Sequence, residues 1–216
     1  MNLTEELTNF RAQFQANQPE EIQKVMAKAT VDLMNSKISE QSLKVGDQVP
    51  NFTLPNAVGN SLELQTILDK GAVVISFYRG GWCPYCNLEL RALQQSLPEI
   101  EALGATLITI SPETPDNSLS TSEKNELTFE VLSDSKNQVA KQFGLVFTLA
   151  EELRPIYTQF GIDIPAYNGD STFELPIPAT YVVAPNGKII HSFANVDYTQ
   201  RLDPREVIKV LKNLAA

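Results

Sequence analysis

The chain has 216 residues, of which 43% are apolar, and its 17 basic and 26 acidic side chains give a net charge of −9. This composition predicts one principal domain, and the negative charge disfavours nucleic acids and anionic membrane surfaces as partners. No stretch approaches the ~20 apolar residues of a membrane span, and the N-terminus lacks the basic and apolar regions of a signal peptide, so we expect a soluble, cytoplasmic protein.

Residues 1–44 predict a two-helix extension, because their apolar residues recur at spacings of three and four. Pro19, followed by two glutamates, marks the start of the second helix. The apolar stripe of these helices must be buried, either against the main domain or against a second copy of the chain in a homodimer. We therefore divide the chain into a helical extension over 1–44 and a main domain over 45–216.

After residue 45 short strands and helices alternate. The predicted elements are a hairpin over 52–64, a strand over 73–78, a helix that starts near residue 83 and ends at Gly104, a strand over 105–110, a short helix within 111–125, a strand over 129–132, and a helix over 138–143 capped by Ser133 and Asp134 and ended by Gly144. Pro98 lies inside the long helix, where we expect it to kink or split the helix.

Residues 145–177 have no clean period and are rich in proline, glycine and aromatic residues, which predicts an irregular insertion that acts as a lid or is only a surface loop. A hairpin follows over 180–193, with Asn186-Gly187 at its turn, and a last helix starts at Pro204. This order predicts an α/β fold in which a mixed central sheet has helices on both faces.

The only two cysteines, Cys83 and Cys86, are three residues apart where the strand over 73–78 gives way to a helix. A helix start favours the thiolate, and in such motifs the thiol pKa falls from about 8.5 to roughly 3.5–7.5. The pair therefore predicts a redox-active disulfide between Cys83 and Cys86. A zinc site would need two more cysteine or histidine ligands, and His191 is the one such residue left in the sequence. We therefore expect no metal and no cofactor. Two inert buried cysteines remain the alternative.

Residues 82–86 resemble the active-site turn of the thioredoxin superfamily, with Cys-Pro-Tyr-Cys in its glutaredoxin form. The segments 45–55 and 179–187 are similar to the opening strand and the late hairpin of the alkyl hydroperoxide reductase/thiol-specific antioxidant group, the peroxiredoxins and their relatives. The resemblance spans roughly residues 45–215 and implies a thioredoxin-like fold.

By this resemblance Cys86 occupies the position of the peroxidatic cysteine, and Cys83 occupies that of a hydroxyl residue that orients the peroxide. Arg79 stands where the family has proline; it either supplies a positive charge near the thiolate or is a solvated strand-end residue. Pro178 stands in the place of the peroxide-binding arginine and is similar to the cis-proline that faces a thioredoxin dithiol. Two groups that polarise the peroxide are therefore expected to be missing.

The other residues of the motif have supporting roles. We expect Trp82 to pack against the dithiol and shield one side of it. Pro84 suits the first turn of the helix, where its missing N–H costs nothing, and Tyr85 follows it as the other residue between the cysteines. His191 is expected to be a packed or solvated residue and not a general base.

Three functions are compatible with this sequence. The leading hypothesis is a thiol peroxidase in which Cys86 attacks a hydroperoxide, Cys83 forms the disulfide, and a thioredoxin-like dithiol reduces it. The alternative is a protein or glutathione thiol–disulfide oxidoreductase with Cys83 as the nucleophile. A third is a redox-sensing interaction protein.

Overall fold

A five-stranded mixed β-sheet forms the centre of the computed structural model, which describes residues 2–215. In chain order the strands are β1 Thr53–Pro55, β2 Ser61–Glu63, β3 Ala72–Phe77, β4 Ala105–Ser111, β5 Glu130–Ser133, β6 Val146–Thr148, β7 Glu174–Pro176, β8 Ala179–Val183 and β9 Ile189–Ala194. The helices are α1 Leu3–Asn17, α2 Glu20–Asn35, α3 Ile38–Gln41, α4 Leu64–Leu68, α5 Pro84–Ala102, α6 Pro115–Lys124, α7 Gln138–Gln142, α8 Arg154–Gln159, α9 Ile164–Asn168 and α10 Pro204–Ala215.

The order of strands across the central sheet is β5-β4-β3-β8-β9. Strand β3 is parallel to β4 and antiparallel to β8, and the hairpin β8–β9 completes the antiparallel half. All six residues of β3 are buried, as expected for an apolar run covered on both faces of a sheet. The predicted mixed sheet and its late hairpin are thus confirmed.

Helices cover both faces of the sheet. One apolar core joins α5 and α10 to the sheet, and a second core on the opposite face contains side chains of α4 and α7. The predicted hairpin before the sheet is present as the antiparallel pair β1–β2. Helix α5 starts after the central strand β3, so the turn that carries the cysteines lies at the carboxyl end of that strand, where open α/β sheets place their sites.

The N-terminal extension packs on its own chain. Leu3 and Leu7 of α1 are buried in the core that contains α5, and Met26 and Ala29 of α2 pack against the segment between β6 and β7. Pro19 immediately precedes α2, as predicted. The main domain therefore covers much of the apolar stripe. The homodimer and the division at residue 44 stay predictions.

The segment 145–177 is ordered, so the expectation of an irregular insertion is wrong. Strands β6 and β7 pair antiparallel, and between them lie a 3-10 turn over 151–153 and helices α8 and α9. This segment has its own buried cluster: Leu149, Leu153, Tyr157, Ile164 and Leu175. Each of its elements is three to six residues long, which is too short to show a periodicity in sequence.

Helix α5 runs without a break from Pro84 to Ala102, so Pro98 does not split it and that part of the expectation is wrong. The predicted ends are confirmed, since Gly104 adopts φ +73° directly after the helix. The Asp134 carboxylate accepts hydrogen bonds from the amides at the start of α7, at 3.0 Å and 2.8 Å.

None of the helices described is long and apolar enough to cross a membrane.

Candidate active site

The cysteines lie at the junction between β3 and α5. Cys83 is the residue that caps α5 and Pro84 is its first residue, so Cys86 lies one turn into the helix. The preceding turn requires small residues. A Cβ on Gly80, whose φ is +148°, would lie 2.2 Å from the indole nitrogen of Trp82, and a Cβ on Gly81 would lie 2.0 Å from the Thr121 hydroxyl. Both cysteines are free thiols and both are buried.

Cys83 is surrounded by groups that favour its thiolate. Burial alone raises the pKa of Cys83, but a hydrogen bond from the Cys86 thiol and the positive charges of Arg79 and Arg201 outweigh burial, and the pKa falls to about 6. The position at a helix start acts in the same direction, because unsatisfied backbone N–H groups stabilise an anion there. These contacts favour the thiolate form of Cys83.

Cys86 has the opposite character. Burial, its hydrogen bond to Cys83 and the negative charge of that thiolate raise the pKa of Cys86 well above its usual value. Arg201 opposes this rise, and its Nη2 donates a hydrogen bond to the Cys86 Sγ at 3.2 Å. The surroundings thus favour a thiolate on Cys83 and a thiol on Cys86.

Arg79 is 2% exposed, so the expectation of a solvated strand-end residue is wrong. Its guanidinium carbon lies 5.1 Å, 5.6 Å and 4.5 Å from the ring centroids of Trp82, Tyr157 and Tyr198, and its Nη2 donates a hydrogen bond to the Tyr157 hydroxyl. Aromatic faces replace water around this cation. Among residues 2–215 it forms no ion pair with a carboxylate, and the negative charge of a Cys83 thiolate would stabilise its positive charge.

Arg201 and Glu89 form a buried ion pair that the sequence did not predict. The Arg201 Nε lies 2.5 Å from Glu89 Oε2, and the two side chains are 1% and 2% exposed. Ser76 also donates to Glu89, at 3.4 Å. One signal could have found Glu89, since residues three apart on a helix share a face and Glu89 follows Cys86 by three. Arg201 lies in the loop before α10, which gives no such signal.

Pro178 is not a cis-proline. No peptide bond in the part of the chain that the structure describes is cis, so that expectation is wrong. Pro178 is buried, and its carbonyl accepts a hydrogen bond from the amide of Asn195 at 3.1 Å. The resemblance also implied that two groups that polarise the peroxide, the hydroxyl at the position of Cys83 and the arginine at the position of Pro178, were missing from this site. Arg79 and Arg201, which come from other positions, bring two guanidinium groups to the dithiol.

Aromatic rings pack on one another around the turn that carries the dithiol. Trp82 packs edge to face on Tyr157, with 5.8 Å between the ring centroids. Tyr85 packs in the same manner between Phe10 of α1 and Tyr198, at 5.0 Å and 5.5 Å. The N-terminal extension therefore reaches the Cys-Pro-Tyr-Cys motif itself. The roles assigned to Trp82, Pro84 and Tyr85 stay predictions.

His191 lies apart from this arrangement, on edge strand β9 opposite Val182, where it is half-buried. In residues 2–215 no group of three or more histidine, cysteine, aspartate or glutamate side chains is placed to hold a metal ion.

A largely apolar cavity of about 240 Å³ adjoins Arg79. One wall is formed by Met26, Ala29 and Leu33 of α2, and another by Phe147, Leu149 and Leu153. Arg79, Tyr157, Pro178 and Tyr198 also line it. The cavity is therefore bounded by Arg79 and by two of the tyrosines that pack on its guanidinium group.

Comparison with known proteins identifies the family. The sequence model of the AhpC/TSA family matches residues 45–192. A putative peroxiredoxin of Haemophilus influenzae is 39% identical over 103 residues, which are 48% of this chain and 66% of that protein, just under two thirds of its length. A putative peroxiredoxin of Mycobacterium tuberculosis is 31% identical over 122 residues, or 56% of this chain and 79% of that protein.

The fold has relatives among solved structures. The crystal structure of the peroxidoxin BcpB from Mycobacterium tuberculosis superposes with a TM-score of 0.63 at 22% identity, over 80% of this chain and 98% of that chain. A likeness at this level of identity concerns the fold, and it agrees with the thioredoxin-like architecture predicted for the chain. Because the family's sequence model matches more than half of the chain, including both cysteines, the chain belongs to the AhpC/TSA family.

Proposed function

We propose that the protein is a thiol peroxidase that reduces hydroperoxides through a cycle of Cys83 and Cys86. The observation that carries this proposal is a buried dithiol at a helix start with two buried guanidinium groups beside it. A thiolate is the nucleophile, and fixed cations stabilise the negative charge that develops on the leaving oxygen. Membership of the AhpC/TSA family supports the same chemistry.

In the proposed cycle the Cys83 thiolate attacks the outer oxygen of a hydroperoxide. An S–O bond forms, the O–O bond breaks, and the alcohol or water leaves after taking up a proton. Arg79 faces this charge. Cys86 then attacks the sulfur of the Cys83 sulfenic acid, so that a disulfide forms and water leaves. The family resemblance assigns the first attack to Cys86. We assign it to Cys83, because the surroundings lower the pKa of Cys83 and raise that of Cys86.

An external thiol must then reduce the disulfide by thiol–disulfide exchange. We propose a thioredoxin-like dithiol as the reductant, with glutathione as the second candidate. A cycle that depends on such a reductant suits the reducing cytoplasm, which is where we place the protein. Both cysteines are buried, so the side chains around them must move before a substrate or a reductant reaches either sulfur.

The activity is tested with the reduced protein, thioredoxin, thioredoxin reductase and NADPH. We expect NADPH to be consumed on addition of hydrogen peroxide or cumene hydroperoxide. The variant without either thiol, Cys83→Ser/Cys86→Ser, is the control and should show no consumption. Fast reduction of a small disulfide together with no consumption of either peroxide would instead establish the alternative, a thiol–disulfide oxidoreductase.

The apolar cavity next to Arg79 predicts a preference for organic hydroperoxides. Ala29→Trp places a large ring in the α2 wall of the cavity. We expect this variant to lower kcat/KM for cumene hydroperoxide by roughly tenfold, which corresponds to about 1.4 kcal/mol of lost apolar contact, and to leave hydrogen peroxide nearly unchanged. Ala12→Trp, on an exposed position of α1, is the matched control. Equal losses for both peroxides would show that the cavity does not receive the organic group.

A further inference from the structure

Arg79 is a buried cation with few partners in its own chain. Its side chain donates one hydrogen bond, from Nη2 to the Tyr157 hydroxyl, and its Nε has no partner among residues 2–215. No carboxylate pairs with it there, and the Cys83 sulfur accepts no hydrogen bond from it. A guanidinium group has five N–H donors, and a buried charge is costly without an anionic partner. Arg79 therefore has the capacity to bind an anion from outside the chain.

The apolar cavity of about 240 Å³ lies against this cation. Arg79 lines it together with Tyr157 and Tyr198, the two tyrosines whose ring centroids lie 5.6 Å and 4.5 Å from the guanidinium carbon. An engineered apolar cavity of about 150 Å³ in another protein holds benzene. The cavity described here is larger, so it has room for an aromatic ring that carries a short chain.

One carboxylate also lines the cavity, but its charge is compensated. Asp32 of α2 is 58% exposed, and its Oδ2 lies 2.9 Å from the Nζ of Lys28. Water and this lysine therefore screen its charge. The other side chains that line the cavity are uncharged, so within the described part of the chain Arg79 is the one cation that a ligand in the cavity meets.

We propose that this cavity binds an apolar monocarboxylate, whose anionic head pairs with Arg79. The planar guanidinium and carboxylate groups match each other, and their attraction is stronger where water is excluded. The apolar body of the ligand lies between Ala29 and Leu33 of α2 and Phe147 on the opposite wall. The ligand class is a small aryl or alkyl carboxylate. This inference goes beyond the proposed function and does not rest on it, because binding involves no hydroperoxide and no change at the cysteines.

Three probes separate the contribution of the charge from that of the apolar body. 3-Phenylpropionate has both the ring and the charge, 3-phenylpropionamide has the ring and no charge, and propionate has the charge and no ring. Isothermal titration calorimetry of the reduced wild-type protein at neutral pH measures their dissociation constants. We expect 3-phenylpropionate to bind as one molecule per chain, and at least roughly tenfold more tightly than either of the other probes.

Variants then locate the ligand. Arg79→Met removes the charge and should bind 3-phenylpropionate and its amide equally, whereas Arg79→Lys keeps a positive charge and should keep part of the preference for the carboxylate. Ala29→Trp places a ring in the α2 wall and should weaken both ring-bearing probes by at least roughly tenfold. Ala12→Trp, on an exposed position of α1, is the matched control and should bind them as the wild type does.

The wild-type protein alone can overturn the proposal, which therefore stays falsifiable where a variant does not fold. An amide that binds as tightly as the carboxylate would show that Arg79 takes no part. Propionate that binds as tightly as 3-phenylpropionate would place the carboxylate at a surface lysine. Absence of saturable binding of 3-phenylpropionate up to about 10 mM would also overturn the proposal. Because no peroxide is present, failure here is distinct from failure of the NADPH assay.

Discussion

Cys83→Ser is expected to abolish the reaction with hydrogen peroxide in a single turnover, by about 10³-fold or more, whereas Cys86→Ser should still react once. The reason is electrostatic. The two guanidinium groups and the hydrogen bond from Cys86 lower the pKa of Cys83 to about 6, while burial and the neighbouring thiolate raise that of Cys86. Stopped-flow fluorescence of Trp82, the one tryptophan in the sequence, follows the reaction.

The pH dependence supplies a second test of the same assignment. The attacking form is the thiolate, so the single-turnover rate of wild type should rise as the pH increases through about 6 and then level off. In Cys86→Ala the hydrogen bond from the Cys86 thiol is lost, which should move the inflection upward. Cys86→Ser keeps a hydroxyl donor at the same position, so its inflection should move less.

Trapping of the intermediate decides between the two sulfurs. Cys86→Ser has no thiol to close the disulfide, and a sulfenic acid on Cys83 should accumulate and react with dimedone, as detected by mass spectrometry. A dimedone adduct on Cys86 in the Cys83→Ser variant, formed at the wild-type rate, would overturn this assignment. It would return the first attack to the cysteine that the family resemblance selects.

The fold was largely predictable because its signals are local. The apolar run before Gly80, the Asn186-Gly187 turn and the glycines that end helices each fix an element within a few neighbouring residues. The position of the dithiol follows from the same local pattern, since a strand that breaks at two glycines and continues as a helix places Cys83 at the helix start.

The charged part of the site was not predictable, because its members are distant in sequence. Arg201 reaches Cys86 from 115 positions away, and Gly81 binds the Glu113 carboxylate across 32 positions. Arg79 stands next to the motif, but its burial depends on Tyr157 and Tyr198, which come from other segments. Spacing along the sequence does not predict such contacts, because they form only when the folded sheet and its loops bring distant segments together.

Arg201→Met is expected to destabilise the fold by about 3–5 kcal/mol, because it leaves the Glu89 carboxylate buried without its partner. Urea unfolding followed by circular dichroism measures this change in the free energy of unfolding. The same substitution removes one of the charges that favour the Cys83 thiolate, so the pKa of Cys83 should also rise. The inflection of the single-turnover rate would then shift to higher pH.

Two further variants separate the loss of the pair from the loss of an arginine. Glu89→Gln combined with Arg201→Met removes both charges and should recover much of the stability that Arg201→Met loses, since no buried charge is left unpaired. Arg205→Met removes an arginine whose side chain is 65% exposed, and its pair with Asp203 should be worth about 1 kcal/mol or less. If Arg201→Met proved no more destabilising than Arg205→Met, the Glu89 carboxyl group would have to be protonated in the folded protein. The charge of Arg201 would then act on the pKa values of the cysteines and not on the stability of the fold.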